Sequence, residues 1–183
     1  MITVKVESRG RHGEIVGLVE TPAQSLVFNF LKLLEVQMAQ RTSTAINIAG
    51  AWFSVSVRAD NFTSTIGAEV VGRGIVVGTA TDPVSPLQAT LFGRIPHGTL
   101  ADQLLYQEVT FVAPTATTNL VQFQMSRVFL NRSPVPATIN EVGIYSVGYP
   151  GTVMIDRTVL PTPVTIPDGG QVTIVYTFRG TLG

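Results

Sequence analysis

The side chains that could do chemistry in this sequence are few and far apart. It has two histidines, His12 and His97, and no cysteine. Thiolate nucleophiles, disulfides and cysteine-ligated zinc are thereby excluded together. A lone histidine holds a metal only with carboxylates at suitable spacing, and neither histidine has them. His97 stands in the turn-like Ile95-Pro96-His97-Gly98, where the ring is expected to bond backbone rather than move a substrate proton. Asp60, Glu69, Asp82, Asp102 and Glu108 are scattered along the chain, which leaves paired acid and base work unsupported. No serine sits in a Gly-x-Ser-x-Gly elbow. The run Gly72-Arg73-Gly74-Ile75-Val76-Val77-Gly78 has glycines as a phosphate loop does, but no Lys-Ser/Thr follows and no helical pattern begins there. The expectation is a protein that is not an enzyme and holds neither cofactor nor metal.

Three charges stand out for another reason. Arg127, Glu141 and Arg157 each interrupt a stretch that is otherwise apolar or β-branched, and a charge taken out of water must be paired. One reading joins them in an internal salt-bridge cluster acting as a register device or subunit lock. The other leaves three separate charges at strand edges.

The elements that would position these residues follow from hydrophobic periodicity. Leu26, Val27, Phe30, Leu31, Leu34 and Met38 recur at three- and four-residue spacing, which predicts one amphipathic helix over about 22–40. Thr21 is its expected N-cap, Pro22 lies in its first turn, and Thr42 to Thr44 end it. Leu33 and Val36 fall off this stripe and are assigned to a contact with another subunit. From Ala51 the period becomes two, with Phe53, Val55 and Val57 on one face, as in a half-buried strand. Gly74 to Gly78 reads as a fully buried strand. The segment 79–102 carries Pro83, Pro86, Gly93, Pro96 and Gly98, which excludes a long central strand and predicts an ordered surface loop. Within it Pro83, Pro86, Phe92 and Pro96 are further candidate interface residues. Strands are then expected at 105–112, 120–130, 138–147, 153–159 and 171–179. On the second, Val121, Phe123, Met125 and Phe129 share a face, with Arg127 on the same side. On the last, Val172, Ile174, Tyr176 and Phe178 share one, after the turn Asp168-Gly169-Gly170. Consecutive strands with no helix between them favour a single all-β domain over 1–183, an antiparallel sandwich or jelly roll.

Composition bounds the partners. Charged residues are only 13% of the 183 and hydrophobic residues 45%, so much of the surface is expected to lie under neighbouring molecules. The formal net charge is zero, leaving no basic field for direct nucleic-acid binding. The opening stretch lacks a signal peptide's apolar core and no run reaches the ~20 apolar residues of a membrane helix. A soluble, unprocessed chain without a membrane partner is expected.

The C-terminal half carries Ser126-Arg127-Val128-Phe129-Leu130-Asn131, Ile139-Asn140-Glu141-Val142-Gly143-Ile144-Tyr145, Ile155-Asp156-Arg157-Thr158-Val159-Leu160, Val164-Thr165-Ile166-Pro167-Asp168-Gly169 and Val172-Thr173-Ile174-Val175-Tyr176-Thr177-Phe178. In order and spacing these segments resemble a recurrent family of tailed-phage virion proteins. The likeness extends to Gly74-Ile75-Val76-Val77-Gly78-Thr79 and the helix before it. Arg132 to Pro136 departs from the Gly- or Asn-rich turn usual there, and stiffens that connection. The resemblance implies a structural protein of the virion, assembled in the host cytoplasm. Its expected partners are copies of itself, with a trimer as one option, and other virion proteins. Three roles are carried: a capsid-associated decoration protein; a neck, collar or tail ring component contacting the major capsid or tail proteins; and a receptor- or carbohydrate-binding module using Trp52, Tyr106, Tyr145 and Tyr149.

Overall fold

The structure, a computed structural model, describes residues 1–181. The stretch before Thr21, to which the sequence pattern assigns no element, folds as a hairpin of β1 (Ile2–Arg9) and β2 (Ile15–Pro22). β1 alternates strictly, with Val4, Val6 and Ser8 turned inward, and Gly13 takes the left-handed backbone in the turn, at φ 85°. β1 then pairs with β11 (Gln171–Thr181), β11 with β8 (Leu120–Leu130), and β8 with β7 (Leu105–Ala116), giving a five-stranded sheet in the order β2-β1-β11-β8-β7. A four-stranded sheet runs β3 (Ser25–Leu26), β10 (Gly151–Ile166), β9 (Ala137–Gly148), β6 (Gly74–Gly78). β4 (Ser43–Ile46) and β5 (Trp52–Val55) form a separate two-stranded piece.

Every pairing between these strands is antiparallel, and the fold is the all-β sandwich that the period-two pattern implies. Hairpins stay within a sheet, while the chain passes between the two large sheets from β2 to β3, β6 to β7, β8 to β9 and β10 to β11. One apolar cluster joins both sheets, from Val4 and Val6 of β1 through Ile139, Ile144 and Met154 to Val172, Ile174 and Tyr176. Each such side chain contributes on the order of 1.5–3 kcal/mol by leaving water. The central part of β10, Val153 to Thr158, is buried on both faces. Its inner side meets the other sheet and its outer side is roofed by the segment 79–95 and by the helix, which is why charged residues there have no route to solvent.

The helix differs from the expectation in position and in face. α1 spans Phe28–Ala39, with Val27 as N-cap and no side-chain capping bond. Thr21 and Pro22 belong to β2, and Ser43 and Thr44 open β4. The inward face is Asn29, Leu33 and Val36, so Leu33 and Val36 are core residues of this chain, and the subunit contact assigned to them is wrong. Leu31, Leu34 and Met38, expected inside, are exposed. The cause is Asn29. Its amide donates to the Ile46 carbonyl at 2.8 Å and its oxygen accepts the Ile46 N–H at 2.9 Å, satisfying the edge of β4. A buried polar residue thus sets the helix rotation, and apolar periodicity alone counts it as surface.

Candidate functional site: buried charges and exposed apolar surface

Arg157 of β10 and Glu141 of β9 form a fully buried ion pair, Nε to Oε2 at 2.6 Å. Both side chains point to the outer face of the four-stranded sheet, where the surface loop lies. Arg157 Nη1 donates to the carbonyls of Asp82 and Pro83 at 2.9 and 3.3 Å and to Gln88 Oε1 at 3.0 Å. Glu141 Oε1 accepts the Gly93 N–H at 3.0 Å. The Tyr145 hydroxyl accepts the Leu91 N–H, and Asn140 donates to the Thr79 carbonyl. The pair therefore anchors the Pro-containing loop to the sheet. Gly78 leaves the necessary room, since a Cβ there would fall 2.3 Å from Glu141 Oε1. Pro83, Pro86, Phe92 and Pro96 are all exposed on this loop, and the Arg157 guanidinium sits 5.2 Å from the Phe92 ring centroid.

Arg127 does not join that pair. It points inward from β8 and spends its donors on backbone carbonyls: Gln107 at 2.6 Å, Arg73 at 3.1 Å, Ile75 at 3.0 Å and Val70 at 2.7 Å. Its guanidinium lies 4.8 Å from the Tyr106 ring centroid. Burial lowers its pKa to about 10, so it stays charged at neutral pH, and burial likewise raises the Tyr106 hydroxyl. Arg127 ties the five-stranded sheet to β6 and to the 67–73 segment. The three-residue cluster thus resolves into one ion pair and one separate arginine satisfied by carbonyls.

Asp156 is a buried carboxyl that strand patterning does not single out. It is fully buried between the sheets, where Oδ2 accepts the Tyr176 hydroxyl at 2.9 Å and the Thr158 hydroxyl at 3.3 Å. Burial outweighs both bonds and raises its pKa to about 7; the Tyr176 hydroxyl is raised by the same burial and by the carboxyl beside it. The segments that carry the family resemblance supply Arg127, Asn131, Glu141, Asp156, Arg157 and Tyr176, all buried. Asn131 donates to the carbonyls of Val135, Ile166 and Pro167 and accepts from Ser133, which orders the Arg132–Pro136 connection. The resembling residues therefore hold the sandwich together.

The histidines have local roles. His97 Nδ1 accepts the Tyr106 N–H at 3.2 Å, the backbone bond expected of it, and the His12 N–H meets the Glu14 carboxylate in the β1–β2 turn. Gly74 to Gly78 is a buried strand. Among the described residues no group of three or more His, Cys, Asp or Glu is placed to hold a metal, and no helix is long and apolar enough to cross a membrane. Of the aromatics considered for stacking on a sugar, Tyr106 and Tyr145 are buried in the core, which removes them from that role; Trp52 and Tyr149 are exposed.

The surface carries large apolar side chains in three places. The outer row of α1 presents Leu31, Leu34 and Met38, the last 77% exposed, and Trp52, edge-on to Phe28 of the same helix, is 60% exposed. Glu35, held at a pKa of about 2 by Arg41 and Lys32, sits among them. The loop presents Leu87 and Phe92, and the β7–β8 hairpin presents Phe111, Val112, Val121 and Phe123. Comparison of the chain with protein-family models, with curated proteins and with solved structures finds no match.

Proposed function

We propose that this protein is a structural component of a tailed-phage virion, a capsid-associated decoration protein that works through subunit assembly. The observation that carries the reading is the distribution of exposed apolar side chains over three separate places, α1, the 79–95 loop and the β7–β8 hairpin, on a chain with 13% charged residues and no net charge. Scattered single apolar residues on a monomer need no explanation, whereas several clustered groups suit a molecule that meets more than one neighbour. The resemblance of the C-terminal segments to virion proteins supports the same reading.

On this reading α1 and the loop face the shell. The ion pair beneath the loop keeps Phe92, Pro83 and Pro86 in one arrangement before contact, which reduces the ordering cost of binding. Contacts that are weak singly gain strength when many copies sit on one lattice. A neck, collar or tail ring component is the second reading, favoured by the hairpin, whose outer end lies exposed from Phe111 to Asn119 and could reach a neighbour in a ring.

The test is co-sedimentation of the purified protein with empty capsids of the phage that encodes it, alongside light scattering of the protein alone. Saturable binding to capsids that Met38→Asp weakens is expected. A protein that ignores capsids and forms a larger closed ring moves the assignment to neck or tail. One that binds no virion protein overturns it.

A further inference from the structure

Near the start of the chain a short crossover joins the two large sheets. It leaves the five-stranded sheet at Ala23, whose N–H donates to the Ile2 carbonyl at 2.9 Å. It enters the four-stranded sheet as β3, an edge strand of two residues that pairs with β10, Leu26 lying opposite Asp156. The Val27 N–H closes the crossover by donating to the Ile155 carbonyl at 3.2 Å. Gln24 fastens its middle: the backbone N–H donates to the Thr158 hydroxyl at 3.1 Å, and the side-chain oxygen accepts the Val159 N–H at 3.1 Å. The Thr158 hydroxyl has one proton of its own and gives it to Asp156 Oδ2, 3.3 Å away, which the Tyr176 hydroxyl also reaches, at 2.9 Å. A continuous chain of hydrogen bonds therefore runs from the crossover backbone through Thr158 and Asp156 to the opposite sheet.

We propose that Asp156 is a proton-operated latch on the crossover Ala23–Val27: the neutral acid keeps this segment shut against β10, and ionisation releases it locally while the two sheets stay joined. The device is independent of the assembly reading. Its basis is that no cation faces Asp156 among the described residues. Tyr176 is the titratable group that meets it from β11, and its hydroxyl is held well above its ordinary range. The residues level with the pair by register are Val4 of β1, Met125 of β8, Ile144 of β9 and Leu26 of β3, none of them titratable. Arg157, next in the chain, turns to the other face of the sheet and to Glu141. Asp156 is fully buried, and its Oδ1 has no hydrogen-bond partner among the described residues. An ionised carboxylate here is a buried charge with two hydroxyl donors and no counter-charge, so burial favours the neutral acid. Of the strands beside it only β3 is an edge, with Leu26 39% exposed, so displacing the crossover is the shortest way to bring water to the carboxyl. Few bonds oppose that displacement, whereas β9 with β10 and β1 with β11 are paired along most of their lengths. The sign follows. Closed, the acid keeps its proton up to about pH 7; open, it ionises from about pH 4 as an ordinary carboxyl does. Between those limits opening releases a proton, so the open population rises by up to about tenfold per pH unit and levels off above about pH 7.

The experiment is amide hydrogen exchange of the full chain, resolved by NMR from pH 5 to pH 8 and expressed as protection factors, so that the intrinsic pH dependence of exchange cancels. The Gln24 and Val27 amides are expected to lose protection by about tenfold or more between pH 5 and pH 7, while the central amides of β9 and β11 keep theirs. Asp156→Asn, neutral and of the same shape, is expected to flatten the profile at Gln24 and Val27. Thr158→Val cuts the chain between Gln24 and Asp156 and is expected to leave both amides weakly protected already at pH 5, and Thr158→Ser, which keeps the hydroxyl, to restore the wild-type profile. The wild-type profile and the Thr158 pair decide the matter even where Asp156→Asn does not fold. Protection at Gln24 and Val27 that is independent of pH in the wild type overturns the latch, as does a profile that Asp156→Asn leaves unchanged. Loss of protection in β9 and β11 in step with the crossover also overturns it, since ionisation then loosens the whole sandwich.

Discussion

Removing one partner of the Glu141–Arg157 pair should cost far more than its share of the pair. In Glu141→Gln the guanidinium stays buried with the carbonyls of Asp82 and Pro83 and the Gln88 oxygen, but the carboxylate 2.6 Å away is gone. The new amide also sets its own N–H donors against one of the two donors the carboxylate accepted, the Arg157 Nε–H or the Gly93 N–H. In Arg157→Met the carboxylate is left with the Gly93 N–H alone among the bonds described. Each single change leaves a fully buried charge without its counter-charge and is expected to destabilise by about 3–5 kcal/mol. The double variant removes both charges, and Met fills much of the vacated space. Its cost should therefore fall short of the sum of the singles by about 3 kcal/mol. Urea unfolding followed by circular dichroism on all four proteins closes the cycle. The loop gives a local readout as well: Arg94 is exposed on it, and tryptic cleavage there should accelerate on the order of 100-fold in Glu141→Gln if ~3 kcal/mol of anchoring is lost. A double variant whose cost equals the sum of the singles would refute the coupling, and unchanged cleavage at Arg94 would refute the loop anchor.

Two further outcomes are expected. Asp156 has its pKa raised to about 7 from the ordinary 3.8, so the folded state holds a proton that the unfolded chain releases. The stability tied to that proton is complete below about pH 4 and is lost as pH rises through about 7, with a slope of up to ~1.4 kcal/mol per pH unit between them; in Asp156→Asn the urea midpoint should lose this slope between pH 5 and pH 8, and a variant as pH-sensitive as wild type speaks against it. Leu33, fully buried beside Gly148, should not tolerate Asp: Leu33→Asp is expected to abolish cooperative thermal unfolding, whereas Leu31→Asp, on the exposed row, should shift the midpoint little.

Much of the architecture was readable from local pattern, because a strand's side chains alternate and a half-buried sheet writes that alternation into the chain. Val172, Ile174 and Tyr176, and Met125 with Phe129, face inward as period two requires, and the prolines of 79–102 mark a stretch that forms no strand. The same alternation is present in Ile2 to Arg9, so β1 too was written in the chain, although the sequence reading assigned that stretch no element. For Arg127, Glu141 and Arg157 the sequence left two readings open, an internal cluster or separate charges at strand edges, and the structure buries all three. What composition cannot supply is pairing at a distance. Glu141 and Arg157 meet because β9 and β10 are hairpin neighbours; Arg127 lies in the other sheet and is satisfied by carbonyls whose approach depends on how segments 67–75 and 107 are folded. Asp156 and Tyr176 are joined across the sandwich, a contact between sheets that no spacing along the chain encodes. The helix makes the same point most clearly. Its amphipathic repeat set its existence, but the side that faces the core was chosen by the Asn29 bonds to Ile46, so only the tertiary structure decides that Leu33 and Val36 are inside and that Leu31, Leu34 and Met38 are exposed.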